Sequence, residues 1–304
     1  MRGRCPVWIH LNGRLVGEDE ARVSVFDRGF LYGDGVFESM RAVGGVVFRQ
    51  DRHLERLLRS AEAIGLPLAP TSAGLPAAIR ELLSANELQD ARIRITVTRG
   101  AGRPGEYVEA LGPATVVISG SAFEGLDESM YRSGVSAVIP RRRQTPPETL
   151  DPAIKSISRL GSVLARREAR DRGGFEALLL DAGGHLTEGT VSNVFLVAKS
   201  RLLTSPAPAG GLPGITREAV IELARGAGIE VSEERLPASL VKECQEVFLT
   251  NTSWEVLPVV RMDDRPIGEG VPGPVTRDLL AAYRDLVRRE CGVAASARRE
   301  ESRP

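Results

Sequence analysis

The stretch ALLLDAGGHLTEGTVSNVFLVA, residues 177–198, is the part of the chain that most clearly determines the fold. Ala177–Asp181 and Asn193–Ala198 are short apolar runs bounded by turn residues, which is typical of buried strands. We expect the two runs to form a hairpin joined through the glycine-rich residues 183–189. Glu188 lies in that connection among small polar residues, where it could hold a charged nitrogen or simply face solvent.

Strand and helix patterns also alternate on the N-terminal side of this stretch. Residues 91–98 place Ile93, Ile95 and Val97 on one face of a strand and polar residues on the other. The same reasoning predicts a hairpin around the turn Asn12-Gly13, strands at 36–40, 45–49 and 114–119, and helices from Asp51 and over 74–86. We therefore expect a small N-terminal α+β domain over residues 1–120.

A polar segment without periodicity, residues 121–134, is predicted to be an interdomain linker. A larger C-terminal domain is expected over residues 135–290. Its predicted elements are strands at 135–139, 246–250 and 256–262 and helices at 160–170, 216–226 and 274–290. The charged residues 291–304 have no apolar face and are predicted to be a disordered tail.

Composition excludes several classes of protein. Lys plus Arg and Asp plus Glu both number 40, and this neutral balance argues against nucleic-acid and membrane-surface partners. The run Arg141–Arg143 has no interleaved aromatic residue and is predicted to be a solvated strand end. No uncharged apolar run approaches the roughly 18 residues of a membrane span, and the first twenty residues do not resemble a signal peptide. We expect a cytoplasmic protein.

The cysteines and histidines do not predict a metal centre. Three cysteines and three histidines are scattered along the chain without the spacing of a zinc site. The cysteines are therefore predicted to be buried or inert thiols, and no metal is expected.

The lysines are more informative. The chain has only three, Lys155, Lys199 and Lys242, and Lys155 lies in the apolar stretch Pro-Ala-Ile-Lys-Ser-Ile-Ser. Unlike arginine, a lysine can lose its proton and attack a carbonyl group as a neutral amine. The alternative is a partly buried lysine whose aliphatic stem packs while its ammonium group reaches solvent.

Two turns could bind a phosphate group. GLPGITRE, residues 211–218, precedes an amphipathic helix whose first N–H groups attract anions, although Thr216 could instead cap that helix. The hydroxyl-rich turn Thr250–Ser253 could add further contacts or be an ordinary turn. Arg56, on the polar flank of its predicted helix, would by itself be read as a surface arginine.

Taken together, these residues form a set of complementary groups: an amine, a helix-end phosphate site, a carboxylate and a separate arginine. Pyridoxal 5′-phosphate (PLP) requires this combination, because the carboxylate keeps the pyridine nitrogen protonated and the helix end binds the phosphate.

The chain resembles the class IV, fold type IV, PLP-dependent aminotransferases from about Val7 to Leu286. This family includes branched-chain aminotransferases, D-amino acid aminotransferases and 4-amino-4-deoxychorismate lyases. The resemblance rests on motifs in the family's order: FDRGFLYGDGVFE (26–38), HLERL (53–57), IKS (154–156), LGSVLA (160–165), EGTVSNVF (188–195), GITR (214–217) and TNT (250–252).

The resemblance implies a two-domain α/β (α+β) fold of the D-amino acid aminotransferase type, with the cofactor between the domains. It also implies at least a homodimer. By this likeness Lys155 is the Schiff-base lysine and the base that moves the substrate proton, and Glu188 pairs with the pyridine nitrogen. The phosphate would be held by Arg56, Ile215, Thr216 and Thr252, and Leu212 would lie against the ring.

The substrate side of the site is also implied by the resemblance. Phe37 would line the pocket opposite Ser253 and Trp254, and together these aromatic residues would favour a small or aliphatic side chain. After Thr98, the family's D-amino acid enzymes usually carry an Arg-x-His pair, which this chain lacks. Arg99 or Arg103 is expected to anchor the substrate carboxylate instead.

We expect a transaminase that transfers an amino group from a branched-chain or other aliphatic amino acid to 2-oxoglutarate or pyruvate. Residues 191–193 and 251–254 are closer to the D-amino acid and lyase branches, so a D-amino acid aminotransferase and a 4-amino-4-deoxychorismate lyase are the alternatives. A cofactor-free scaffold that keeps the fold is the non-enzyme alternative.

Overall fold

The alternating residues 91–98 form a strand inside a six-stranded antiparallel sheet, as predicted. The computed structural model describes residues 7–68, 72–103, 105, 113–207 and 210–293. Cys5 and the predicted tail beyond Val293 lie outside this part of the chain. The sheet has the order β2-β1-β6-β5-β3-β4, with strands β1 (Trp8–Leu11), β2 (Arg14–Gly17), β3 (Gly35–Val43), β4 (Val46–Val47), β5 (Ala91–Thr98) and β6 (Thr115–Ala122).

Two helices cover one face of this sheet. Helix α1 (Arg28–Tyr32) precedes β3, and helices α2 (Gln50–Ala63) and α3 (Leu75–Ala85) bury their apolar stripes against the sheet. Ile93, Ile95 and Val97 are fully buried beneath them. The opposite face of β5 and β3 carries Arg94 and Phe37, so the sheet has one apolar face and one face available for a site.

The second sheet is built from strands after residue 134. Its order is β12-β11-β10-β14-β15-β7-β8-β9-β13, and β16 pairs with β15. The strands are β7 (Val135–Val138), β8 (Glu176–Leu180), β9 (His185–Gly189), β10 (Asn193–Ala198), β11 (Arg201–Thr204), β12 (Glu230–Glu233), β13 (Leu236–Pro237), β14 (Glu246–Asn251), β15 (Glu255–Met262) and β16 (Arg265–Pro266).

The hairpin expected between residues 177–181 and 193–198 is wrong. The connection between them is itself a strand, β9, which pairs with β8, while β10 lies across the sheet between β11 and β14. His185–Gly189 reads as a polar loop in the sequence, yet four of its five residues are buried. Glu188 is therefore a buried residue of strand β9, and it does not lie on the solvated turn that the sequence suggested.

Helices α5 (Leu160–Asp171), α6 (Ile215–Gly226) and α7 (Pro274–Glu290) agree with the predicted helices to within one residue at either end. The helices α6 and α7 pack on each other, and with Phe195 and Phe248 they form one apolar cluster. In the described residues, no helix has the length and apolar character needed to cross a membrane.

Residues 121–134, predicted to be an irregular linker, contain regular structure. β6 extends to Ala122, and a short helix, α4 (Glu128–Ser133), follows. Asp127 caps this helix by accepting a hydrogen bond from the Ser129 N–H, and the buried side chain of Tyr131 anchors it. A helix of six residues is too short to show a helical periodicity in sequence, which is why it was not predicted.

Candidate active site

A cavity of about 560 Å³ lies against the polar face of the six-stranded sheet. Phe37 and Ser39 of β3 form part of its wall. Arg56 of α2 and two arginines of β5 also line it, and the other walls come from the region of the second sheet: Lys155, the start of α5, the end of β9, the start of α6 and the turn after β14. The cavity therefore brings together residues that are far apart in the chain.

Lys155 is fixed by hydrogen bonds from its backbone to strand β3 and to helix α2. Its carbonyl accepts from the Phe37 N–H at 2.9 Å, and its N–H donates to the Ser60 hydroxyl of α2 at 3.1 Å. The lysine Nζ lies 4.9 Å from the centre of the Phe37 ring. This anchoring points the amine into the cavity and leaves the chain little freedom to move it away.

The surroundings of Lys155 favour its neutral form. Burial, followed by the charge of Arg56, lowers the pKa of Lys155 to about 7, although Glu38 and Glu188 oppose the shift. Within the part of the chain that the structure describes, no carboxylate forms a salt bridge with Nζ. A lysine with this pKa is in the amine form for about half of the time at pH 7, and the amine is the form that acts as a nucleophile.

Glu188 is buried and oriented by two hydrogen bonds. Its carboxylate accepts from the Leu212 N–H at 2.8 Å and from Gln144 Nε2 at 2.9 Å. Burial raises the pKa of Glu188, against the effect of the Leu212 N–H, the charge of Arg159 and the Gln144 amide. Such a carboxylate gains most from a cationic nitrogen placed beside it.

Arg56 is 3% exposed and is not the surface arginine that the sequence alone suggests. Its Nε and Nη2 donate to the fully buried carboxylate of Glu38 at 2.7 and 2.9 Å, and its Nη1 donates to the Pro213 carbonyl at 2.8 Å. His53 Nδ1 lies 2.8 Å from the same carboxylate. Although burial opposes it, Arg56 and His53 hold the pKa of Glu38 well below its usual range.

Arg56 has hydrogen-bond donors that no described residue uses. A guanidinium group carries five N–H donors, and the contacts with Glu38 and Pro213 use three of them. The remaining donors are on the terminal nitrogens of a side chain that lines the cavity. This arrangement suits a bound anion such as a phosphate group.

The start of α6 forms the adjoining end of the cavity. Gly214 is the N-cap residue, and no side chain caps the helix, so its first N–H groups have no intrahelical acceptor. Gly214, Ile215 and Thr216 all line the cavity. Thr216 is the second helical residue, and its hydroxyl lies 3.4 Å from the Tyr283 hydroxyl. The structure therefore answers the question left open by the sequence, because Thr216 is not the cap.

The turn after β14 is arranged by Asn251. Its Oδ1 accepts from the N–H groups of Ser253 at 2.8 Å and Trp254 at 2.6 Å. The Thr252 hydroxyl donates to the Ser39 carbonyl at 3.2 Å and keeps its lone pairs for another donor. The buried hydroxyl of Thr250, also in the cavity lining, has no partner among the described residues.

The expected substrate-side residues divide into two groups. Phe37, Ser253 and Trp254 all line the cavity, and Trp254 packs against Phe175 with ring centres 5.0 Å apart. Arg99 is directed elsewhere, because it pairs with Asp34 at 2.8 Å and donates to the carbonyls of Ile64 and Gly65. Arg103 is exposed on the loop after β5 and does not line the cavity.

Several cavity residues were not identified from the sequence. They are four arginines: Arg92, Arg94, Arg159 and Arg166. Gln144, which orients Glu188 from outside the cavity lining, was not identified either. The alternation in residues 91–98 was a usable signal, since it places Arg92 and Arg94 on the face opposite the core. In the structure this polar face is a wall of the cavity.

The residues of the cavity fit PLP in their chemistry. The Arg56 donors, the first N–H groups of α6 and the Thr250 hydroxyl, which has no described partner, suit a phosphate group. Glu188 suits a pyridine nitrogen, and Lys155 suits an aldehyde. Among the described residues, no group of three or more His, Cys, Asp or Glu side chains is placed to hold a metal ion.

Comparisons with known proteins agree with this chemistry. Residues 35–262 match the family described as amino-transferase class IV. The chain is 40% identical over 278 residues to a Methanocaldococcus jannaschii protein provisionally named a branched-chain-amino-acid aminotransferase, covering 91% of this chain and 96% of that one. It is 34% identical over 277 residues to the D-alanine aminotransferase of Bacillus licheniformis, covering 91% and 95%.

The similar solved structures also include enzymes with different activities. The T.th. branched-chain amino acid aminotransferase with pyridoxamine 5′-phosphate superposes with a TM-score of 0.88 at 32% identity, covering 94% of this chain and 95% of that one. The 4-amino-4-deoxychorismate lyase of Pseudomonas aeruginosa superposes with a TM-score of 0.79 at 31% identity, covering 91% and 98%. The expected fold type IV architecture is thereby confirmed.

Proposed function

Because the chain belongs to the class IV aminotransferases, we propose that it transfers an amino group between an aliphatic, branched-chain-type amino acid and a 2-oxo acid such as 2-oxoglutarate or pyruvate. The observation that carries the proposal is the placement of Lys155, Glu188 and the Arg56 donors around one cavity. PLP supplies the electron sink when it is bound there.

In this proposal each described group has a separate task. Lys155 is the covalent attachment point of PLP and moves the proton between the substrate Cα and C4′ of the cofactor. Glu188 holds a positive charge on the pyridine nitrogen. Arg56, Thr252 and the N–H groups of Ile215 and Thr216 bind the phosphate, and Leu212 supports the ring.

An aliphatic donor is favoured by the apolar part of the lining and by the relatives. Phe37, Val163, Val191 and Trp254 all line the cavity and offer apolar surface to a side chain. The relatives named as branched-chain enzymes include the Methanocaldococcus jannaschii protein and the enzyme of Escherichia coli.

Two alternatives have support from the comparisons. The Bacillus licheniformis relative is named a D-alanine aminotransferase, which makes a D-amino acid donor the first alternative. The Pseudomonas aeruginosa structure makes a lyase that releases pyruvate from 4-amino-4-deoxychorismate the second.

We also propose that the enzyme works as a homodimer. Val25, Phe26, Phe30 and Tyr32 are each more than half exposed and lie next to one another in the chain, in and just before α1. Large apolar side chains exposed together in one segment are typical of an interaction site. Light scattering of the wild type and of Phe30→Glu tests this, since the variant should shift toward the monomer mass; an unchanged mass would contradict the use of this patch.

The activity is tested with the purified PLP-loaded enzyme and single L- and D-amino acids. A branched-chain L-amino acid should bleach the visible band of the lysine-bound cofactor and release one equivalent of its 2-oxo acid. Bleaching by D-amino acids alone would replace this proposal with the first alternative. Pyruvate released from 4-amino-4-deoxychorismate without an added oxo acid would support the lyase. No response to any of them would indicate an inactive scaffold.

A further inference from the structure

Glu188 is the one acidic side chain among the described residues that line the cavity. Its Oε2 accepts from the Leu212 N–H at 2.8 Å, and its Oε1 accepts from Gln144 Nε2 at 2.9 Å. Both donors are neutral, so neither cancels the charge of the carboxylate. That charge is therefore available to a cationic nitrogen, provided that the carboxylate stays ionised in its buried position.

Gln144 reaches Glu188 from outside the cavity lining. Its backbone N–H donates to the carbonyl of Leu180, the last residue of β8, at 2.9 Å, which holds its backbone beside the strand that pairs with β9. Its Nε2 also donates to the Gly210 carbonyl at 2.9 Å. Because both partners of the side chain are acceptors, the amide must present its two N–H donors to them and cannot be turned round.

A buried carboxylate can also take up a proton. Burial raises the pKa of Glu188, and the Leu212 N–H, the charge of Arg159 and the Gln144 amide oppose this rise. A protonated Glu188 would no longer stabilise a positive charge on a nitrogen beside it. A neutral donor such as the Gln144 amide favours the ionised form of the carboxylate without taking the place of that cation.

We propose that Gln144 is a positioning residue whose amide keeps Glu188 ionised and oriented, so that the proton shared by Glu188 and the pyridine nitrogen of PLP stays on the nitrogen. This inference rests on the proposed function and deepens it. PLP acts as an electron sink, and hydrogen bonds to its ring nitrogen tune this property. Gln144 thus controls the strength of the electron sink from outside the cavity lining.

A purely structural role for Gln144 leads to a different expectation. Its hydrogen bond to the Gly210 carbonyl also ties it to the loop that carries Leu212, which is proposed to support the ring. Loss of this bond alone would loosen the loop and weaken the binding of any molecule shaped like PLP. Loss of the bond to Glu188 should weaken the binding only of molecules that carry the pyridine nitrogen. A ligand that lacks this nitrogen therefore separates the two roles.

The test compares PLP with its carbocyclic analogue, in which a C–H group replaces the pyridine nitrogen while the aldehyde and the phosphate remain. Their dissociation constants are measured by fluorescence titration of the cofactor-free, full-length enzyme for the wild type, Gln144→Met, Gln144→Asn and the control Gln245→Met. Methionine has about the length of glutamine but lacks its amide. Gln245 is exposed, accepts a hydrogen bond from the Lys199 N–H and lies outside the cavity lining.

Gln144→Met should raise the Kd of PLP at least about tenfold, as expected for the loss of one hydrogen bond to a charged group, and change that of the analogue by less than about twofold. Gln144→Asn keeps the amide on a shorter side chain and should lose part of the preference for PLP. Gln245→Met should resemble the wild type. In a Glu188→Gln background, Gln144→Met should change the Kd of PLP by less than about twofold, because the two residues act through one hydrogen bond.

Nuclear magnetic resonance locates the proton directly and needs no turnover, with PLP isotopically labelled at the pyridine nitrogen and bound to the enzyme. At neutral pH the wild type should show the nitrogen signal at the position of the protonated form. In Gln144→Met the signal should move toward the unprotonated form, because the pKa of Glu188 rises further when one of its donors is removed. Circular dichroism shows whether each variant is folded, and Gln144→Asn decides the question if Gln144→Met is not.

An equal loss of affinity for PLP and for the analogue in Gln144→Met would overturn the proposal and leave Gln144 with a structural role. An unshifted nitrogen signal in that variant would also overturn it, and so would an unchanged preference for PLP in Gln144→Asn. Failure of the proposed function looks different, because then no amino acid changes the spectrum of the PLP-loaded wild type, whatever the effect of replacing Gln144.

Discussion

Lys155 shows how the chemistry of one residue depends on its surroundings. An ordinary lysine has a pKa of about 10.4 and is protonated at neutral pH. Here burial and the neighbouring Arg56 lower the pKa of Lys155 to about 7. The sequence identifies this lysine by its apolar context, but the size of the shift depends on residues brought together by the fold.

The lowered pKa predicts how the cofactor-free enzyme reacts with PLP. Below about pH 7 the ammonium form predominates and cannot attack an aldehyde, so the rate of capture should rise about tenfold per pH unit. Above about pH 7 the amine predominates and the rate should level off. Stopped-flow absorbance between pH 5.5 and 9.5 measures this profile. A rate that still climbs steeply at the upper end would mean that the lysine has its ordinary pKa.

Arg56 and Glu38 show what the sequence could not provide at the residue scale. HLERL and VFE are both recognisable motifs in the sequence. Neither motif indicates that the Glu38 carboxylate accepts two hydrogen bonds from the Arg56 guanidinium. The two residues are 18 positions apart, on a strand and a helix. Pairing of this kind depends on how α2 packs on β3, which local patterns do not encode.

At the scale of elements, the start of α6 depends on a glycine. A Cβ at Gly214 would lie 2.0 Å from Asn193 Oδ1, and the Asn193 side chain donates to the Leu212 carbonyl at 2.8 Å. Asn193 therefore ties the loop that leads into α6 to the start of β10. Glycine is required here because of this close approach, and its backbone conformation is an ordinary extended one.

Gly214→Ala is predicted to weaken PLP binding by at least about tenfold, because the added methyl group displaces the first N–H groups of α6 from the phosphate position. Fluorescence titration of the cofactor-free enzyme with PLP measures the loss. Gly226→Ala at the other end of the same helix is the control, since nothing lies within 4 Å of its Cβ position. The control should bind PLP normally and be slightly more stable. Equal affinities for both variants would contradict the role given to the helix start.

Helices with a strong apolar periodicity were predictable from the sequence. Elements that are stabilised mainly by contacts with residues distant in the chain were not. The helices α2, α3, α6 and α7 have long apolar stripes and were placed to within one or two residues. Strand β9 was missed because its side chains Thr187 and Glu188 are polar although buried. Their polar groups are satisfied by the Leu179 carbonyl and by the Leu212 N–H, which are contacts that only the assembled sheet supplies.

On the scale of the whole molecule, a buried ionic network connects the two sheets. Glu255, at the start of β15, pairs with Arg41 of β3 and with Arg284 of α7, the latter at 2.6 Å. Arg284 also reaches Glu128 of α4 at 2.8 Å. Glu255 is 5% exposed, so it is the shared counter-ion of two partly buried cations from different layers of the fold.

Glu255→Ala is predicted to lower the free energy of unfolding by about 3 kcal/mol, because removing one member of a buried ionic group leaves its partners uncompensated. Thermal unfolding followed by circular dichroism measures the change. Asp285→Ala, which breaks an exposed pair with Arg288, is the matched control and should cost less than about 1 kcal/mol. If the two variants had the same Tm, the network would not hold the sheets together.

The cavity is also a property of the whole molecule. The family resemblance placed Lys155, Glu188, Arg56, Thr216 and Thr252 in one site, and all of them do line one cavity. Arg99 was also expected to bind the substrate carboxylate. Its guanidinium instead forms a salt bridge with Asp34, the residue just before β3. The positions of Arg92, Arg94, Arg159 and Arg166 around the cavity follow from how β5 and α5 face each other, so local sequence patterns could not provide them.

The most direct test of the proposed active site is to find which residue carries PLP. The PLP-loaded protein is reduced with borohydride, digested, and mapped by mass spectrometry for a lysine bearing one reduced pyridoxyl phosphate group. The chain contains three lysines, Lys155, Lys199 and Lys242, so the assignment is unambiguous. The proposed active site predicts the added group on Lys155 alone. A label on Lys199 or Lys242, or an unlabelled Lys155 in a protein saturated with PLP, would contradict it.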